Sequence, residues 1–182
     1  MDGLAKLTSV ASTIRIGKND ALMSLGGLAQ VTSFGGSVFV KNNPALTDLS
    51  GLEGLDSVDG VLDISDNDGL VDLSALATVG SVSIKLIVKK NQILGDLSGL
   101  EGLVSAGGIL IHDNATLSSI EALSGLTVVD GDVIITKNKS LAQCLVDAWV
   151  KVILELGEIQ GKVDVKGNNS DCVCEEVNGK VH

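Results

Sequence analysis

Seven asparagines divide this chain at a near-constant interval: Asn19, Asn43, Asn67, Asn91, Asn114, Asn138 and Asn168, with gaps of 24, 24, 24, 23, 24 and 30 residues. Each closes the same phrase, in which two apolar residues flank one variable position and two further residues lead to the Asn. In chain order the apolar pairs are Ile14 and Ile16, Val38 and Val40, Leu62 and Ile64, Leu86 and Val88, Ile109 and Ile111, Val133 and Ile135, and Val163 and Val165. A repeat of this length cannot bury its apolar face alone and must stack on its neighbours, which is the physics of a solenoid. The predicted fold is mainly β, a right-handed solenoid of about seven turns with a C-terminal capping helix.

Residues 31–54 set out one turn. Val31, Phe34, Val38, Val40, Asn43, Leu46, Leu49 and Leu52 are its inward positions. Val38-Phe39-Val40 alternates with period two, so it reads as a strand with Phe39 outside. Leucines every three residues after Asn43 describe a 3₁₀-like arc, and Val31 to Phe34 forms a second short extended piece. Gly35-Gly36, Asp59-Gly60, Gly107-Gly108 and Asp130-Gly131 stand before the strands, where a sharp corner is expected to need positive φ. Ser83-Ile84 breaks that rule in the fourth turn. The Asn carboxamide, with both donor and acceptor, is expected to satisfy corner backbone groups in its own turn and the next. An inward Asn is also not expected to be glycosylated, although Asn114, Asn138 and Asn168 each open an Asn-x-Ser/Thr sequon.

The 30-residue gap before Asn168 predicts an inserted helix over 141–156. Ser140 and Gln143 offer a capping box and Gly157 a stop. Gln143, Asp147, Lys151 and Glu155 form one polar stripe. The rest, including Trp149, Val150, Ile153 and Leu154, is apolar, as a lid over the last turn requires. Cys144, Cys172 and Cys174 all lie in this last quarter. Cys172-x-Cys174 has the wrong spacing for zinc, so a disulfide from Cys144 to one of the later pair is expected, with Cys172 preferred over Cys174, in an oxidising compartment. The coil spans 4–174 as one domain. Residues 1–3 and 175–182 are termini, and entry into the repeat without a capping element suggests a fragment of a longer protein.

The net charge of −10, with a single Arg, disfavours nucleic acid, and no apolar run reaches the ~20 residues of a membrane span. No constellation for catalysis, cofactor or metal is present: Asp48, Asp72 and Asp96 recur in register before a core Leu, and Asp66-Asn67-Asp68-Gly69 lacks the spacing of a calcium loop. His112 sits at a strand end and reads as a solvated surface residue. What remains is the outward row of the strands, Arg15, Phe39, Asp63, Ile87, Leu110, Ile134 and Asp164. Its apolar members Phe39, Ile87, Leu110 and Ile134 are the candidate binding surface, bordered by Lys89, Lys90 and Lys137 and interrupted by Asp63.

The run Gly51-Leu52-Glu53-Gly54-Leu55-Asp56-Ser57-Val58, then Leu62-Asp63-Ile64-Ser65-Asp66-Asn67, then Leu70 and Leu73, resembles the receptor L-domain, a member of the broad leucine-rich-repeat class. Standard repeats place Leu two residues after the Asn, whereas Leu46 and Leu70 come three after, as in the L-domain version. The resemblance implies a secreted or cell-surface, bacterial or fungal type of protein that recognises a protein or glycan ligand without catalysis. Burial of the same face by a homodimer or a neighbouring domain belongs to that expectation. The alternatives are an ice-binding solenoid, against which the irregular outward row argues, and a structural cell-envelope protein.

Overall fold

A computed structural model describes residues 4–155 and 159–171. The strands are β1 (Ile14–Gly17), β2 (Val38–Lys41), β3 (Ser57–Val58), β4 (Val61–Ser65), β5 (Ser81–Val82), β6 (Lys85–Lys89), β7 (Ser105–Ala106), β8 (Ile109–His112), β9 (Val128–Val129), β10 (Val133–Thr136) and β11 (Val163–Asp164), with one helix, α1 (Gln143–Glu155), between the last two. A seven-stranded sheet runs β1-β2-β4-β6-β8-β10-β11 and a four-stranded sheet runs β3-β5-β7-β9, all parallel. The molecule is a β-solenoid. Its seven rungs enclose about five regular turns plus one enlarged by α1, so the expected seven counts rungs rather than complete turns.

The register copies the sequence repeat, pairing Val38 with Leu62, Leu62 with Leu86, Leu86 with Ile109 and Ile109 with Val133. All eight inward positions expected of residues 31–54 are buried, and the seven apolar ones join one continuous core, mostly of Leu, Val and Ile. Stacking identical aliphatic positions at about 4.8 Å leaves little room for rings, which accounts for the two Phe, one Trp and absent Tyr. The leucine arcs include 3₁₀ helices at Gly26–Leu28, Ser74–Leu76 and Glu121–Gly125, whereas the arc through Leu46, Leu49 and Leu52 is a string of separate turns closed by backbone bonds from Leu46 to Asn43 and from Leu52 to Leu49. Ser24, Asp48, Asp72, Asp96 and Ser119 enter the arcs, each accepting a hydrogen bond from the backbone N–H two residues on. These registered carboxylates are turn-formers. The Ser50 hydroxyl, and then its N–H, holds the Asp48 carboxyl below its ordinary value.

The octapeptide Asp-Leu-Ser-Gly-Leu-Glu-Gly-Leu occurs twice, at 48–55 and 96–103, and folds the same way both times. Gly51 and Gly99 take φ of 115° and 108°, and their N–H groups donate to Glu53 and Glu101. A side chain at Gly51 would also strike the Leu25 carbonyl oxygen at 2.2 Å, so glycine is required there twice over.

Two sequence expectations about corners are corrected. The glycines before the strands do not adopt positive φ; a Cβ on Gly107 would lie 2.1 Å from the Ser83 carbonyl oxygen, so close stacking of backbones explains them. The left-handed corner lies on the other side of each strand, immediately before the ladder Asn, at Lys18, Asn42, Asp66, Lys90, Asp113, Lys137 and Gly167, with φ between 54° and 75°. The second correction concerns α1, which begins at Gln143 without a capping box. The Ser140 hydroxyl is taken by the Ala115 carbonyl of the preceding turn at 2.8 Å, and the Gln143 side chain bonds Asp147, Asn168 and the Val165 carbonyl. Gly157 lies outside the described residues.

Helix α1 lies over the coil with Val146, Val150 and Ile153 buried, and Trp149 donates its indole N–H to the Leu123 carbonyl at 3.1 Å. Leu154, counted above with the apolar face, is instead exposed, as is Val152. Cys144 is not a free thiol, but Cys172 and Cys174 lie outside the described residues, and with them the expected pairing and the last residues of the 4–174 span.

Candidate functional site

The ladder comes first because it fixes the sheet that carries the candidate surface. The Oδ1 of Asn67, Asn91, Asn114, Asn138 and Asn168 accepts the backbone N–H of the ladder Asn one turn earlier, at 3.0–3.1 Å. The Nδ2 of Asn43, Asn67, Asn91, Asn114, Asn138 and Asn168 donates to a strand carbonyl one turn earlier, respectively Ile16, Val40, Ile64, Val88, Ile111 and Ile135. The expected bonds are present as well: Asn19, Asn138 and Asn168 donate within their own turn, to the Gly17, Thr136 and Val165 carbonyls, and Asn19, Asn43, Asn114 and Asn138 donate to the Oδ1 of the next ladder Asn. The bonds to the preceding turn come in addition to these. Asn43, Asn67, Asn91, Asn114 and Asn138 are wholly buried, Asn168 is half-buried and Asn19, at the open rung, is exposed. Among the described residues no buried side-chain nitrogen or oxygen lacks a partner.

Ile87, Leu110 and Ile134 are directly registered on β6, β8 and β10, so the sequence-predicted apolar stripe is contiguous across three rungs. All three are half-buried by their neighbours on the sheet. Phe39 is not part of that stripe. Its ring lies under the Arg15 guanidinium, 3.9 Å from the centroid, and Asp63 separates it from Ile87.

Asp63 is not the exposed charge its outward position predicts, with only 4 % of its surface accessible. Lys41 lies 3.0 Å from its Oδ2 and the Ser65 hydroxyl donates to its Oδ1, so the carboxylate is neutralised within the sheet. Nothing in the order of residues points to this directly, although Lys41 and Ser65 share one register position, two residues beyond Phe39 and Asp63.

One row further along the strands, Lys89, His112 and Thr136 are in register. His112 is not a freely solvated residue. Its Nδ1 lies 2.8 Å from the Thr136 hydroxyl, and the ring is half-buried. Desolvation, then the Lys137 charge, holds its pKa below 6.5, with Lys89 and Lys90 acting the same way and Asp113 opposing. The corner row beyond it carries Lys90, Asp113 and Lys137.

Two shallow depressions exist elsewhere. One of about 480 Å³ is lined by Asp96, Glu101, Ser119 and Glu121 on the arcs, and one of about 690 Å³ by Gln143, Asp147 and the β11 region. Among the described residues no three His, Cys, Asp or Glu side chains converge as a metal site would need, and no helix is long and apolar enough to cross a membrane. No known family model, curated protein or solved structure matches the chain.

Proposed function

We propose that the chain is a recognition or adhesion module of the receptor L-domain-like, leucine-rich-repeat type, acting outside the cell or on its surface by non-covalent binding of a protein or glycan through the main sheet. The observation that carries this reading is the registered row Ile87–Leu110–Ile134, aliphatic side chains on a face that the coil does not use for its own core. The inward residues of the same strands already fill that core, so the outward row can vary without disturbing it. Ordinary sheet composition is the competing explanation, since β-branched residues suit a pleated surface.

A Leu110→Asp, Ile134→Asp double variant tests the reading. It is expected to keep its secondary structure and to melt within a few degrees of the parent, because both side chains point away from the core. Loss of binding to a surface partner, or of self-association, is the expected outcome in a pull-down or sedimentation assay. Unchanged binding would move the search to the arcs. Within the same reading, Cys144 is proposed to pair with Cys172, closing the C-terminal end in an oxidising environment.

A further inference from the structure

The cations of this chain are not spread evenly. The six strands β1, β2, β4, β6, β8 and β10, with the left-handed residue that follows each, carry seven cations and three carboxylates. That is a net +4 within a chain of net −10, so the rest of the molecule is strongly acidic. At the ends of β6, β8 and β10, Lys89 and Lys90 on one side and Lys137 on the other flank His112. None of these three lysines has a carboxylate within ion-pair distance among the described residues, whereas Lys41, Lys151 and Lys166 each have one. In the corner row Asp66 and Asp113 adjoin Lys90 and Asp113 adjoins Lys137, so the three lysines keep a net positive charge of one, with no ion pair formed among the described residues. The row immediately beside them is Ile87, Leu110 and Ile134.

Resting on the sheet-face reading above, we infer that the partner is a protein surface presenting aliphatic side chains flanked on one side by carboxylates, its apolar part seated on Ile87, Leu110 and Ile134 and its acidic part on Lys89, Lys90 and Lys137. Charge complementarity selects the acidic partner: a net positive cluster beside an apolar row gains from a carboxylate and loses from another cation. The absence of aromatic rings selects a protein over a sugar. Sugars present C–H faces that stack on rings, and the one ring of this row, Phe39, already has a face covered by Arg15. Aliphatic rows instead bury aliphatic side chains, removing apolar surface of both partners from water. Because rungs are about 4.8 Å apart, the three-rung site is about 10 Å long and fits a single strand or helix turn of the partner.

The test uses ¹⁵N-labelled protein at pH 7 and three probes: an eight-residue peptide of alternating Leu and Glu, its Leu and Lys counterpart, and oligogalacturonate. The Leu–Glu peptide is expected to shift amide signals of 85–90, 109–113 and 133–137 and to bind at least about 10-fold more tightly than the Leu–Lys peptide, with the difference shrinking as salt is raised from about 50 to 300 mM. A Lys89→Glu, Lys137→Glu variant is expected to reverse the preference, and a Lys89→Gln, Lys137→Gln variant to abolish it. Equal affinity for both peptides overturns the inference, as does oligogalacturonate binding as tightly as the Leu–Glu peptide, or no binding of that peptide at millimolar concentration. The Leu110→Asp, Ile134→Asp variant separates the two claims. If it loses the peptide while the charge-reversed protein keeps it unchanged, the sheet face stands and its acidic preference falls. If it retains full affinity, the sheet-face reading falls and takes the inference with it.

Discussion

A single carboxamide per turn replaces two backbone partners that the corner would otherwise leave without one. Asn67 accepts the Asn43 N–H and donates to the Val40 carbonyl, and it is wholly buried. Removing it strands two groups in the core, each costing about 1–3 kcal/mol. Asn67→Ala is therefore expected to lose about 2–4 kcal/mol on a denaturant titration, while Asn19→Ala, at the exposed end of the same ladder, loses well under half of that. Equal losses would mean that position in the repeat, and not burial, sets the cost. The ladder was legible in the sequence because its residue type never varies and its period holds at 23 or 24 residues until the last, helix-bearing turn. The left-handed corner just before it was not. Lys18, Asn42, Asp66, Lys90, Asp113 and Lys137 share a conformation but no chemistry, and the glycines drew attention to the wrong side of the strand. His112 was misread for a related reason: its partner Thr136 lies 24 residues away and becomes a neighbour only through register.

His112 also has a pH signature. Its folded pKa is held below 6.5, so the neutral ring is the form the fold prefers. As pH falls below about 6.5 the unfolded chain takes up a proton that the folded chain resists, and stability declines; above that value the group contributes no pH dependence. The expected result is an imidazole titration midpoint below 6.5 by NMR, and a Tm lower at about pH 5.5 than at pH 7.5. The His112→Gln variant, which keeps a partner for Thr136, should narrow that gap.

At the scale of elements, the strands, the arcs and the inserted helix were each foreseeable from periodicity, since inward positions recur at two, three and four residues in the three segments. The boundaries of α1 were not, because the sequence cannot show that the Ser140 hydroxyl is engaged by the turn below and that Gln143 bonds forward to Asn168. The helix divides its apolar residues between two environments. Val150 and Ile153 face the coil, while Val152 and Leu154 face outward. Ile153→Ala is expected to cost about 2–4 kcal/mol through the cavity it leaves, and Val152→Ala less than about 0.5 kcal/mol. Thermal melts of the two variants check the docking: comparable losses would place the helix in another orientation.

For the whole molecule, the solenoid makes stability a sum of contacts between adjacent rungs. Rung β1 has a neighbour on one side, and its residues are mostly exposed apart from Ile16, whereas β6 is flanked by β4 and β8 with Leu86 and Val88 fully buried. Amide exchange is expected to be fastest through 14–19, slowest through 62–112, and graded between. A uniform exchange rate would imply all-or-none unfolding. The candidate surface was only partly legible at this scale. The row Ile87–Leu110–Ile134 and the break at Asp63 that cuts Phe39 off follow from counting, but the covering of Phe39 by Arg15 and the burial of Asp63 beside Lys41 depend on side chains meeting across rungs.

The direction of the asparagine hydrogen bonds has a consequence for how the protein is made. Because the Asn of each turn satisfies the corner of the turn before it, a newly synthesised coil leaving the ribosome holds an open N–H and an open carbonyl until some 24 further residues have followed. Closure must lag synthesis by one repeat, and the growing tip always presents an unfinished corner that the next asparagine alone completes.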